Sequence, residues 1–525
     1  MKWSAPVSLA LAATAVAADF VKVDFDVLEK SSSGALQRRD LARREPQAVN
    51  IGNQGHWYLA QLYLGSSRQQ VSVLLDTGSS DFWVVDKNAD CQAPGQGNQC
   101  VVYGQFDTQQ STSFKRNDSL PGFSFSYMDD TSVSGNYVQD TVQIGDYVIN
   151  DYVIALANKT SSPYGVLGIG FSGKVASIKS DFIYPNLPQR LKDDGLIKKN
   201  LYSLYLNNIN ADSGSVLFGA IDTAKIDGEL TTVPLVNIYS QLSDKPIEVS
   251  LEFTKLTFKG DSEADVITDN KYVAMLDSGS TNTYLPKPLF QRALSIVGGW
   301  TQPNGLSYIE CPKDDSSTFT FGFNGANIEV PLEELVIPSS DIEGKCIFTG
   351  ILPSSNDLAI VGDSVLRHAY LVYDLEDYQI SIGKVKYTND SDIHEVDGTL
   401  PSASVIESAV TLSTLASYAE ATAAAVAYPQ GSLTVTWYRD LLAKGNKAMN
   451  DTGLILDMVT DGKNGSSAAA ATGSGSGGDS SARDSSAKST SGASTTAASS
   501  SKGDDAAALA TPWMAMLIGL LSMFV

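Results

Sequence analysis

Histidine is nearly absent from this 525-residue chain: His56, His368 and His394 are the only three, and none stands in a metal-binding or nucleophile-activating motif. That argues against hydrolysis through an imidazole-activated serine and against a histidine-rich zinc centre. Cysteine is also scarce. Cys91, Cys100, Cys311 and Cys346 fit no zinc spacing; in a secreted chain they read as two disulfides, with three connectivities open. Basic residues are in deficit, 37 Lys and Arg against 59 Asp and Glu, for a formal charge of −22 and a pI near 4.5. Nucleic acid is therefore no partner, since phosphate binding needs a basic surface. The acidity suits work at low pH and equally suits a soluble acidic surface. No apolar run reaches the roughly 20 residues of a bilayer span. What is abundant is apolar material, 43% against 18% charged, enough for a large core and two or three domains.

The chain is organised around Val71-Ser72-Val73-Leu74-Leu75-Asp76-Thr77-Gly78-Ser79-Ser80, which returns as Val273-Ala274-Met275-Leu276-Asp277-Ser278-Gly279-Ser280-Thr281. In each copy an apolar run, read as a buried strand, ends on one carboxylate followed by a turn that Gly permits. A charge there needs hydrogen-bond donors, and Thr77, Ser79, Ser278 and Ser280 are at hand. Two such loops face to face put two carboxyls on one site, where both cannot ionise together and one proton is held between them. That makes one acid and one base, as water attack on a peptide carbonyl requires. Asp212-Ser213-Gly214 and Asp451-Thr452-Gly453 carry the same triplet without the apolar run, and read as structural turns.

With these motifs the chain resembles the pepsin-family aspartic proteases, and its two ends make it most similar to the fungal GPI-anchored yapsins. The resemblance also rests on Gly165-Val166-Leu167-Gly168-Ile169-Gly170 and Leu358-Ala359-Ile360-Val361-Gly362-Asp363, and covers residues 50 to 390. It implies a mostly β, bilobal fold with a cleft between two β-rich lobes. Asp76 and Asp277 would be the catalytic pair, supported by Thr77, Gly78, Ser79, Ser278, Gly279 and Ser280. It implies disulfides within each lobe, Cys91 with Cys100 and Cys311 with Cys346. The hairpin Phe123 to Gly135 matches the family's flap over substrate, with Tyr127 at its tyrosine and Trp83 at the tryptophan that hydrogen-bonds it. Met128 and Asp130 stand where the family usually has Gly, and adjacent Asp129 and Asp130 would favour Lys or Arg in substrates.

The expected organisation is a signal peptide over 1–18, a propeptide over 19–44, lobes over 45–234 and 235–394, a stalk over 395–503 and a GPI-attachment signal over 504–525. The 19–44 segment reads as polar, with the dibasic pair Arg43-Arg44 as its processing site. A short helix falls within 178–199, and another over Lys287 to Val297, where Pro286 and Pro288 suit the first turn. From Ser466 to Ser501 the chain is nearly all Ser, Ala, Gly and Thr, a composition that builds no core and suits a disordered, glycosylated stalk. Gly503 is the preferred attachment residue. Asn117, Asn158, Asn389, Asn450 and Asn464 are N-glycosylation acceptors.

The function expected is that of a secreted, cell-surface aspartic endopeptidase, held at the outer plasma membrane or cell wall or shed from it. Its optimum would be acidic, with a preference for basic residues at the cleavage site. It would need no metal or cofactor. Its partners would be protein or peptide substrates, the membrane through a GPI anchor, and cell-wall glucan, and it would act as a monomer. The alternative is a catalytically inactive pepsin-fold protein for binding or wall adhesion, whose mark would be a lost aspartate, loop hydroxyl or flap tyrosine; here all are present.

Overall fold

The computed structural model describes residues 20–29 and 56–405, apart from 94–97, 117, 119, 128–130, 181, 212, 241–242, 261–262, 314–315, 355–357 and 401–402. Among them the protein is mostly β, and no helix is long and apolar enough to cross a membrane. The signal peptide, Arg43 and Arg44, the 406–503 part of the stalk, Asn450, Asn464 and Gly503 lie outside the described residues.

One sheet of 14 strands runs from the first lobe into the region between the lobes, and three smaller sheets of five, four and four strands build the second lobe. The alternation in His56–Leu64 and Gln69–Asp76 produces the antiparallel pair that leads to the first motif, with Val71, Val73 and Leu75 inside. Gly165–Gly168 lies parallel to Gln69–Asp76, in register Asp76 with Gly168. The second lobe repeats the device: Tyr272–Leu276 lies parallel to Ala359–Val361, in register Leu276 with Val361. Each motif therefore leaves a buried strand whose neighbour fixes its end.

The 19–44 segment is not simply polar. Val21–Glu29 is a strand between Ser213–Phe218 and His56–Leu64, antiparallel to both. Its period-two pattern buries Val21, Val23, Phe25 and Val27 in the main core, while Lys22 and Asp24 face outwards and Asp26 is half-buried. The lobes also share strands rather than separating cleanly at residue 234. Ala369–Asp374 and Gln379–Lys384 insert between Leu201–Tyr205 and Leu230–Pro234.

The folded body extends past residue 394. Ile393–Glu395 pairs with Ala220–Asp222, Val396 N–H donates to the Gly219 carbonyl at 2.8 Å, and buried Lys199 reaches the Gly398 carbonyl at 3.1 Å. Ala403–Val405 then pairs in parallel with Leu230–Pro234. These backbone pairings, which composition does not report, draw the first residues of the expected stalk into the fold.

Both expected helices are present, Leu187–Asp193 and Lys287–Ile296, each with Pro in the first turn. The second buries Leu289, Phe290, Ala293 and Leu294. The disulfides join Cys91 to Cys100 and Cys311 to Cys346, within each lobe.

Candidate active site

Asp76 ends its strand and Asp277 directly follows Tyr272–Leu276. The parallel neighbours hold both backbones: Ile169 N–H donates to the Asp76 carbonyl at 2.8 Å, and Asp277 N–H donates to the Val361 carbonyl at 2.9 Å. Both residues are buried, Asp76 4% and Asp277 7% exposed. Each carboxylate is satisfied from its own loop. Gly78 N–H donates to Asp76 Oδ1 at 2.8 Å and the Ser79 hydroxyl donates to Oδ2. Gly279 N–H donates to Asp277 Oδ1 at 2.8 Å and the Ser280 hydroxyl donates to Oδ2 at 2.7 Å.

The loops interlock across the lobes. Ser278 N–H donates to Thr77 Oγ1 at 2.9 Å, and Thr77 N–H donates to Ser278 Oγ at 3.2 Å. The hydroxyls in turn donate to the strands behind the opposite loop, Thr77 to the Leu276 carbonyl at 2.8 Å and Ser278 to the Leu75 carbonyl at 3.0 Å. The glycines set the approach of the carboxyls. A Cβ on Gly78 would stand 2.5 Å from Asp277 Oδ1, and one on Gly279 would stand 2.5 Å from Asp76 Oδ1. Only a residue without a side chain lets each carboxylate lie against the other loop.

Burial first, then the negative charge of Asp277, pushes the Asp76 carboxyl well above the ordinary carboxylate range, against the opposing pull of its Ser79 and Gly78 donors. The Asp76 carboxyl consequently retains its proton where an exposed carboxyl would have lost it.

Trp83 is fully buried and its indole N–H donates to the Tyr127 hydroxyl. Tyr127 closes the described part of the hairpin between Gly122–Ser126 and Ser132–Ile144, its N–H donating to the Thr131 carbonyl at 2.7 Å. Met128, Asp129 and Asp130 lie outside the described residues, as does Asn117. Asn158 and Asn389 are exposed. Among the described residues no group of three or more His, Cys, Asp or Glu is arranged to hold a metal ion. His368 faces Glu334 at 3.3 Å and His394 faces Asp392 at 3.1 Å.

Three polar clusters around the pair escaped sequence reasoning. Buried Asp81 accepts from the Tyr137 and Tyr184 hydroxyls at 2.7 and 2.6 Å and from Ala176 N–H at 2.7 Å. Its position directly after Ser80 was a usable signal, because a carboxylate beside a buried motif needs partners. Buried Asp363 follows the Ile360-Val361-Gly362 segment and binds Ser280 through its backbone N–H at 2.8 Å, and burial holds its carboxyl well above the usual range. Lys174 joins Glu248 across the lobes, a contact between positions with no local sequence relation.

The family model for eukaryotic aspartyl protease matches residues 57–385. Aspartic proteinase yapsin-3 of Saccharomyces cerevisiae is 36% identical over 73% of this chain and 76% of its own length. Candidapepsin of Candida tropicalis is 37% identical over 71% of this chain and 90% of its own. Secreted aspartic protease 9 of Candida albicans is 31% identical over 75% and 90% respectively. With a matching family model, similar proteinases over most of the chain, and paired aspartate loops at the junction of the lobes, the chain belongs to the eukaryotic aspartyl protease family as an aspartic-type endopeptidase.

Proposed function

We propose that Asp76 and Asp277 are the catalytic pair and that they share one proton. The ionised carboxylate takes a proton from a water molecule while the protonated one donates a hydrogen bond to the scissile carbonyl. The water oxygen adds to the carbonyl carbon. The carbon–nitrogen bond of the resulting tetrahedral species breaks as a carboxyl returns a proton to the leaving amine. Aspartic proteases are the type case of such a coupled pair. The observation that carries this reading is the reciprocal packing in which each carboxylate lies against the other loop's glycine. Tyr127, anchored by Trp83, then serves as the flap tyrosine over the substrate.

Asp129 and Asp130 follow Tyr127 closely and supply the negative charge for a preference for Lys or Arg at the scissile bond. The apolar N-terminal stretch, the Arg43-Arg44 pair and the apolar C-terminal tail support a secreted enzyme, processed after Arg44 and attached to the outer membrane face or wall by GPI near Gly503. Similarity to a yapsin and to a secreted aspartic protease supports the same placement. Exposed Asn158 and Asn389 are the described positions open to glycans.

The test compares the secreted, processed enzyme with Asp76→Asn and Asp277→Asn variants, from acid to neutral pH, on paired peptides with basic or apolar residues at the scissile bond. Activity confined to wild type and highest in acid is expected. Retained activity in either variant sinks the pair. Selection of the apolar peptide, unchanged in Asp129→Ala, sinks the basic preference alone.

A further inference from the structure

Lys174 ends the 3-10 turn Ser172–Lys174, which closely follows the Gly165–Gly168 strand. Its ammonium contacts Glu248 Oε2 and lies 3.5 Å from the Gly78 carbonyl oxygen. Glu248 falls within the second lobe, expected over 235–394, and its side chain is only 1% exposed. The Ser250 hydroxyl donates to its Oε1 at 2.7 Å and the Tyr239 hydroxyl donates to its Oε2 at 3.1 Å. One cation therefore ties the first aspartate loop to a carboxylate anchored in the opposite lobe.

The atom it reaches matters for Asp76. Gly78 N–H donates to one carboxylate oxygen, and the Ser79 hydroxyl donates to the other. The Gly78 carbonyl belongs to the peptide unit joining those two residues, so a cation on that oxygen restrains the plane between both donors. A buried ion pair adds little net stability over apolar residues of the same volume. Its effect is therefore expected in geometry, where small misplacement of a reacting group costs much in rate.

We propose that Lys174 and Glu248 are positioning residues for Asp76, clamping the Gly78–Ser79 peptide from across the lobes. The proposal rests on Asp76 and Asp277 being the reacting pair. Lys174→Met is expected to lower kcat about tenfold with KM changed less than about twofold, since a donor plane is loosened and no substrate contact is lost. Because that variant leaves Glu248 buried and unpaired, Lys174→Met/Glu248→Gln is measured beside it. The glutamine keeps an acceptor oxygen for one of the Ser250 and Tyr239 hydroxyls, offers the other an N–H to accept, and removes the orphan charge. Its thermal midpoint should return towards wild type while kcat stays low, and Lys174→Arg should restore part of kcat.

Wild-type kcat in the double variant, or a change confined to KM in Lys174→Met, overturns the proposal. Asp76→Asn is the parallel control. If it stays active, the reading of the pair fails; if it is inactive while the double variant has wild-type kcat, only the clamp fails.

Discussion

Thr77 and Ser278 exchange backbone-to-hydroxyl hydrogen bonds across the lobes, at 2.9 and 3.2 Å, and each hydroxyl continues to a carbonyl behind the opposite loop. Four polar groups are thus satisfied away from water by two side chains. Thr77→Val keeps the shape and removes the hydroxyl, leaving the Ser278 N–H and Leu276 carbonyl short of a partner. A loss of about 1–3 kcal/mol in urea unfolding is expected, with a fall in kcat, while Thr77→Ser stays near wild type. Equal stability of the Val and Ser variants would contradict this account.

Gly279→Ala would drive a methyl against the Asp76 carboxylate, because a Cβ at this position would stand 2.5 Å from Oδ1. The two carboxyls must separate to admit it. A drop in kcat/KM of roughly a hundredfold is expected, as for a misplacement of about 1 Å, with circular dichroism unchanged. Activity within a few-fold of wild type would show that the close approach is dispensable.

The raised affinity of Asp76 for its proton gives a pH dependence of definite sign. The native state holds this proton more tightly than the unfolded chain, whose carboxyl has the ordinary value of 3.8. Its contribution to stability is full below that value and is lost as pH rises through the higher native one. Over that window wild type should lose stability relative to Asp76→Asn, whose side chain does not titrate, and kcat should fall with the one-proton form. Thermal midpoints measured for both across the window check this, and parallel curves would refute it.

The disulfides close loops of unequal length, with sequence separations of 9 for Cys91–Cys100 and 35 for Cys311–Cys346. By loop-closure entropy, removing the longer bridge with paired Ser substitutions should cost about 1 kcal/mol more than removing the shorter. Denaturant unfolding of the two double variants tests the order.

The aspartate loops were legible because each puts a carboxylate, a glycine and hydroxyls after an apolar run, a local pattern with one economical chemical use. The Lys287–Ile296 helix was legible through Pro286 and Pro288, which suit its first turn. Val21–Glu29 was overlooked although Val21, Val23, Phe25 and Val27 alternate strictly, because the intervening Lys22, Asp24 and Asp26 resemble a solvated tract. The places of Ala369–Asp374 and Gln379–Lys384 beside Leu201–Tyr205 and Leu230–Pro234 depend on pairings far apart in sequence. The same holds for Lys174 and Glu248, whose partnership exists only once the lobes are assembled.

The residues past 385 also make a load path. A pull on the chain beyond Val405 is borne first by the Ala403–Val405 pairing, then by Lys199 on the Gly398 carbonyl and by the Asp392 N–H on Asp222 Oδ1 at 2.7 Å. Those contacts grip Leu230–Pro234, Lys199 and Asp222, none of which belongs to the aspartate loops. Tension from a downstream tether would peel this strap before it reached Asp76 or Asp277, so under such a tether the strap would be a sacrificial joint between the pull and the aspartate loops.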